Sequence, residues 1–413
     1  MEETSAAEVP ESRWVAFQFP GFGKYWGAVV LSGFAVQIQT VAIGWQVYDM
    51  TRNPFDLGLI GLSQFLPALL LVMVTGAVAD RFPRRRIMGV CLTIEAVAGT
   101  GLLLYTHFGG GSVAVILALL ALFGTARAFF NPARQSILPN LVPPRHLGNA
   151  IAVNSTANHL ARIGGPLAGG LLYGLSAQLA YGVAVAFLVI SAVLVLGIPK
   201  PAARKPAGRT SWATLNAGFR YIWSEKVVLG AVSLDLFAVL LGGATALMPV
   251  YARDILDLGP SGLGLLMAGP AIGAVAVGFY LMSNPIRDHA GHVMFASVAG
   301  FGVFMLVFAF SETVWISVLA MILAGGCDMV SVFVRGTLIQ LWTPDELRGR
   351  VNAVNQVAIG ASNEFGAFRA GSMGALTGPV AAVALGGIGT LAIVALWMRW
   401  FPGLREIRRL DQV

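Results

Sequence analysis

Charge is what this chain has least of. Only 11% of its 413 residues are Asp, Glu, Lys or Arg, where a soluble domain carries about a quarter, so an ordinary water-facing surface cannot be assembled from it. Lysine is nearly absent: Lys24, Lys200, Lys205 and Lys226 stand alone, none in a glycine loop that could cradle phosphate, which argues against ATP drive. The two cysteines, Cys91 and Cys327, fall inside apolar runs and read as small core residues rather than a disulfide or a redox pair. Five histidines are scattered, without metal-ligand spacing and without a nucleophile-and-base arrangement. No metal and no cofactor are therefore expected, and an enzyme or a receptor is the weaker class of reading. The basic start of a secretory signal is missing too, since Met1 to Arg13 carries Glu2, Glu3, Glu8 and Glu11.

What fills the chain is apolar length. Hydrophobic residues make up 56% of it, mean hydropathy is +0.75, and runs long enough to cross about 30 Å of hydrocarbon recur along its length. They lie near 25–48, 57–79, 87–107, 112–131, 149–175 and 180–198, then near 227–250, 261–283, 292–310, 314–335, 349–376 and 378–399. Helix is the conformation expected of them, because an unpaired backbone group in lipid costs several kcal/mol and the ten-residue alternation of barrel strands is lacking. The expected architecture is an all-α integral membrane protein with twelve transmembrane helices in two six-helix bundles. Its parts would be a tail over 1–23, a first bundle over 24–198, a linker over 199–226, a second bundle over 227–399 and a tail over 400–413.

The net charge of +7 comes from basic residues in short loops, so it reports orientation rather than a nucleic-acid partner. Placing both termini in the cytoplasm puts every basic residue in a cytoplasmic loop, tail or border except Arg52 and Arg253 outside and Arg127, Arg162 and Arg369 within spans. In the linker, Thr210 or Ser211 is expected to cap a short interfacial helix with Trp212, Leu215, Phe219 and Trp223 on one face and Arg209, Arg220 and Lys226 near the headgroups. The chain also repeats itself: Gly124 to Arg134 lines up with Gly325 to Arg335, and Asn154 with Asn355, at a spacing of 201 residues. Two parallel halves with a site between them near midplane would produce such a repeat.

Two segments carry a resemblance. Gly76-x-x-x-Asp80-Arg81-x-x-Arg84-Arg85, with Pro83 in a place glycine usually takes, resembles the loop between the second and third helices of the major facilitator superfamily. In that family the loop latches against the start of the eleventh helix, here near Arg350 to Asn352. Arg162-x-x-Gly165-Pro166-x-x-Gly169-Gly170 is similar to the fifth-helix signature of the superfamily's antiporter and exporter branch, with Ala152 and Ala161 at two upstream glycine positions. Gly44 to Asp49 and Phe129 to Arg134 look like the bacterial branch that includes the enterobactin exporter and related multidrug exporters. The resemblance covers nearly the whole chain. It implies a multi-pass protein of the bacterial cytoplasmic (inner) membrane that moves a small organic substrate by alternating access. The second-half counterpart of the latch, around Ser283 to Arg287, has no acid in the matching place.

Ionisable groups inside spans are expensive in lipid and mark candidate function. Glu95, Asp235, Asp328 and Glu364 are the candidates for proton coupling, each with a packing or static ion-pair role as the alternative. Arg127 and Asp328 occupy equivalent places of opposite sign; they could face each other across the cavity as a moving pair, with a static ion pair or two separate pairs as the equal alternative. Asn154, Asn158 and Arg162 make a polar stripe on the fifth helix, with His159 alongside, and Asn352, Asn355, Gln356, Asn363 and Glu364 repeat it on the eleventh; such stripes line a cavity or glue helices together. Gln37 and Trp45 in the first helix offer hydrogen bonds beside apolar surface. Gly165-Pro166, Gly269-Pro270 and Gly378-Pro379 are expected to kink their helices. The expected activity is export of a drug-like compound or siderophore by proton antiport, with protons, the organic solute and the bilayer as partners and one chain sufficing as a monomer. Import of a small metabolite on the same fold is the nearest alternative.

Overall fold

The computed structural model describes residues 14–199, 212–286 and 288–409. Among them every long element is helical. The first half comprises α1 (Phe22–Thr51), α2 (Pro54–Arg81), α3 (Arg84–His107), α4 (Val113–Ile137), α5 (Leu147–Leu175) and α6 (Ala177–Leu196). A short helix α7 (Trp212–Ser224) precedes the second half. There, α8 (Lys226–Gly242) stops at Gly243 and continues through a tight turn into α9 (Met248–Val250) and a π turn over Tyr251–Ile255, which together complete the seventh crossing. Paired glycines, Gly242 and Gly243, and Pro249 with no N–H to give explain the break. The remaining crossings are α10 (Pro260–Ser283), α11 (Ala290–Phe310), α12 (Val314–Trp342), α13 (Asp345–Thr377) and α14 (Pro379–Trp400), followed by one turn, α15 (Pro402–Arg405).

Ten of these crossings are long and apolar enough to span a membrane by composition. The other two, α5 with 29 residues and α13 with 33, are equally long but too polar to stand out. The reason is where they pack. In the first half α1 lies on α5 and α6, α2 on α4, and α3 on α4 and α6; in the second, α10 and α11 lie on α12, α11 and α8 on α14, and α8 on α13. Between the halves the principal pairings are α5 with α10 and α2 with α13, each the repeat-related image of the other. Thus α5 and α13 turn one face to the opposite bundle rather than to lipid, and polar side chains are tolerated there.

Gly165-Pro166 and Gly269-Pro270 fall inside helices, but Gly378 has φ 87° and Pro379 opens α14. The third expected kink is therefore a helix boundary, because that glycine takes the left-handed conformation a tight turn requires. Helix α7 docks on α13: a Cβ at Gly218 would come within 2.7 Å of the Arg350 carbonyl, and the Tyr221 hydroxyl donates to the Trp342 carbonyl at 2.5 Å. Phe219 and Trp223 project from it, 58% and 69% exposed, as an interfacial helix requires. Arg209, Thr210 and Ser211, expected at its start, lie outside the described residues.

Candidate functional site

The turn between α2 and α3, the connection from α4 to α5, α7 and both described chain ends share one end of the molecule. This is the arginine-rich end; the other is distal. Close approach between the halves is concentrated distally. On one side α5 meets α10, where a Cβ at Gly170 would strike the Pro260 carbonyl at 2.5 Å and one at Gly264 would strike the Pro166 carbonyl. Only hydrogen at both positions lets the two backbones come so near. On the other side Phe55 meets the Phe368 ring at 5.9 Å and Phe65 the Phe365 ring at 5.9 Å, with Gly371 against Pro54 and Gly58 between them. Polar contacts complete the closure: Asp49 pairs with Arg253, Arg52 with Asp254 at 2.9 Å, and the Tyr48 hydroxyl donates to Asp254. Trp45 lies under the Arg253 guanidinium at 5.3 Å, so this expected cavity residue belongs to the distal closure.

Toward the arginine-rich end the halves diverge. Ser155, Thr156, His159 and Arg162 on α5 are exposed there. Asn154 and Asn158 are half-buried, and Arg134 of α4 donates to Asn158 Oδ1 at 3.0 Å. On α13, Asn363 is exposed and donates to the Ile359 carbonyl, while Asn355 is buried. The Oδ1 atoms of Asn154 and Asn355, repeat-related residues, are both buried without a partner. Gln37 packs on Gly165, and Gly169 on Ile38, within the first half. The fifth-helix motif thus divides its work: Gly165 and Gly169 seat α1, whereas Pro166 and Gly170 seat the opposite bundle.

Of the readings open for Arg127 and Asp328, the structure shows separate partners. Arg127 does not face Asp328; it donates to Glu95 Oε2 at 3.1 Å, between α4 and α3 of its own half, and Glu95 is fully buried. Asp328 instead feels the charge of Arg162 from the opposite bundle. Asp235 is ion-paired with Arg335, both buried, between α8 and α12. Asp235, Asp328 and Ser331 also line one small cavity of the second half. Arg369 has a structural explanation: its Nε and Nη2 donate to the Leu240 and Gly243 carbonyls at 3.0 and 3.2 Å, capping the end of α8 at the break. Glu364 lies against Gly61 of α2. Sequence reasoning missed Arg134, whose equivalence to Arg335 was visible in the repeat, and Asp254, which had no signal beyond a charge at a span's end.

The described residues show only part of the sequence-expected latch. Gly76 is half-buried in α2, Arg81 is exposed, Arg84 is half-buried at the start of α3, and Arg85 donates to the Ile198 carbonyl at 2.5 Å inside the first half. The Asp80 side chain and Arg287 lie outside the described residues.

Residues 11–412 match the family described as transmembrane secretion effector. The chain is a major facilitator transporter of that family. It is 25% identical over 401 residues to the enterobactin exporter EntS of Salmonella typhimurium, covering 95% of each chain, and 25% identical over 395 residues to that of Escherichia coli O1:K1, covering 94% of each. Among solved structures, it superposes on the nucleoside transporter NupG with a TM-score of 0.73 at 14% identity, covering 92% of this chain and 99% of that one. It likewise superposes on a bacterial homologue of the iron transporter ferroportin in an inward-facing state, with a TM-score of 0.71 at 15% identity, covering 94% and 99%. The transporter therefore has the two-bundle, twelve-crossing fold of a secondary transporter.

Proposed function

We propose that the transporter exports an organic solute by proton antiport from the cytoplasm of a bacterium, rocking its two halves about the central cavity. The observation that carries this reading is the asymmetry of the interface: ion pairs and glycine contacts join the halves distally, while the polar faces of α5 and α13 open toward the arginine-rich end. Basic residues favour the cytoplasmic side of a membrane, so both termini and the opening would face the cytoplasm across the inner membrane. A cavity open to the cytoplasm is where an exported solute would enter, and the similarity to enterobactin exporters supports that direction. The chemistry of the cavity favours an anionic, aromatic solute of the catecholate siderophore kind. Arg162 is exposed with no hydrogen bond or ion pair among the described residues, Arg134 retains a buried Nε without a hydrogen-bond partner, and Phe34 stands at the Gly164 surface of α5. Glu95, Asp235, Asp328 and Glu364 are the carboxylates available for coupling, and one chain holds both halves of the pathway.

The test uses the purified transporter in proteoliposomes with an imposed pH gradient and enterobactin as the probe. Enterobactin movement against its gradient, with protons moving the other way, is the expected result. Enterobactin movement indifferent to the pH gradient removes proton antiport; no movement of enterobactin in either direction removes the siderophore assignment.

A further inference from the structure

Of the four interior carboxylates, Glu364 stands apart in two respects. Glu95 is ion-paired with Arg127 and Asp235 with Arg335, and Asp328 lies within the electrostatic reach of Arg162 on the opposite bundle. Glu364 has no cation and no hydrogen-bond partner among the described residues. It is also the one of the four seated in the contact that joins the halves: its Oε2 rests where a methyl on Gly61 of α2 would be. Gly61 also meets Ala367, and along the same contact of α2 with α13 Phe65 meets Phe365, while Gly58 meets Phe368 and Gly371. It keeps partial exposure, and its neighbour Asn363 is exposed.

The charged groups on the surrounding elements point elsewhere. On α2, Asp56 is in the first distal turn and Arg81 in the last turn. On α8, Lys226 is at the far end and Asp235 is taken by Arg335. On α13, Arg369 is spent on the Leu240 and Gly243 carbonyls, and Asp345, Glu346, Arg348 and Arg350 lie in its first two turns; on α14, Arg399 is in the last turn. An uncompensated charge cannot be held cheaply against glycine and phenylalanine.

We propose that Glu364 is a proton-binding site whose occupancy selects between the two faces of the transporter: protonated, it permits the distal contact of α2 with α13 seen here, and ionised, it forces that contact apart. The proposal rests on the antiport reading and gives it a direction. With the distal face open, Glu364 meets the outside, takes a proton and lets the contact reform. With the arginine-rich face open, it releases that proton toward the cavity as solute binds, and the charged carboxylate then drives the distal face open. One proton enters for each outward passage, and no other co-reactant is needed.

The experiment measures conformation directly. Spin labels at Phe108→Cys and Leu376→Cys, exposed distal positions in opposite halves, are placed on a Cys91→Ala, Cys327→Ala background in lipid nanodiscs. In the otherwise wild-type chain the distal-open to distal-closed ratio should rise about tenfold between about pH 5.5 and about pH 8.5, as a one-unit difference in affinity for the proton between states would give. Glu364→Gln should stay distal-closed across the range, whereas Glu364→Asp should keep a pH response. A pH-independent ratio in the wild-type background, or an undiminished response in Glu364→Gln, overturns the proposal. Enterobactin-evoked proton flux is measured alongside: if it is absent while the distance response depends on Glu364, the proton switch stands and the antiport reading falls. If proton flux is intact in Glu364→Gln, antiport stands and this assignment falls.

Discussion

Asp49, in the last turn of α1, is ion-paired with Arg253 in the π turn of the seventh crossing, so the two halves are tied at their distal ends by charge as well as by packing. A π turn adds a residue per turn and redirects side chains. Here it delivers Arg253 and the adjacent Asp254 to the end of α1, where Asp49, Arg52 and Tyr48 receive them.

Arg253→Gln removes the Asp49 pair and the Trp45 contact together. Partly exposed pairs contribute about 0.5–1 kcal/mol each, so the distal-open population should rise about 2- to 5-fold, read by the spacing of the Phe108 and Leu376 labels. The swap Asp49→Arg with Arg253→Asp should return it toward the wild-type value.

Glu95→Ala leaves Arg127 without its carboxylate and close enough to Arg134 for the two guanidinium groups to repel. Removing one partner of a buried pair costs about 3–5 kcal/mol. A large drop in the thermal unfolding midpoint of the detergent-solubilised protein is expected, and Glu95→Gln with Arg127→Met should recover most of it. Loss of transport in Glu95→Ala accompanied by normal stability would instead make Glu95 part of the coupling.

Gly264→Leu puts a side chain where the Pro166 carbonyl sits. Overpacking of this kind costs about 1–3 kcal/mol, and here it is relieved by separating α5 from α10 distally. The variant should fold, favour the distal-open form and lose at least about tenfold in transport rate, since 1.4 kcal/mol is a factor of ten.

Burial raises the Tyr221 phenol above its ordinary value, and the Glu225 carboxylate adds to the shift. A raised value means the docking of α7 is fully present below the ordinary phenol range and is lost as pH rises through the folded-state value. Protection of α7 from proteolysis should therefore weaken above about pH 10. Tyr221→Phe should abolish that alkaline component while costing about 1 kcal/mol for the lost bond to Trp342.

The fold was legible because lipid admits so few solutions: long apolar runs with short basic loops leave helices, and a repeat near half the chain length leaves two bundles. The polar stripes of α5 and α13 were legible for the same reason, since asparagines and an ionised group in a crossing need a face away from lipid. The pairing of charges was not. Arg127 and Asp328 hold equivalent positions in the repeat, and equivalence left open whether they meet or pair separately. A guanidinium on a flexible stem takes the nearest carboxylate, and three-dimensional packing put Glu95 of α3 nearer than anything in the opposite half.

By itself, then, the order of residues determined how many times the chain crosses, which end is basic, and which helices had to face something other than lipid. Which carboxylates are neutralised, that Arg369 serves a broken helix end, that Trp45 joins the distal closure and that Glu364 is left uncompensated against Gly61 were decided only by the packing of the bundles. Hydropathy acts residue by residue and can be read along a line. Electrostatic compensation acts over a few ångströms between helices distant in sequence, and only tertiary structure brings those helices together.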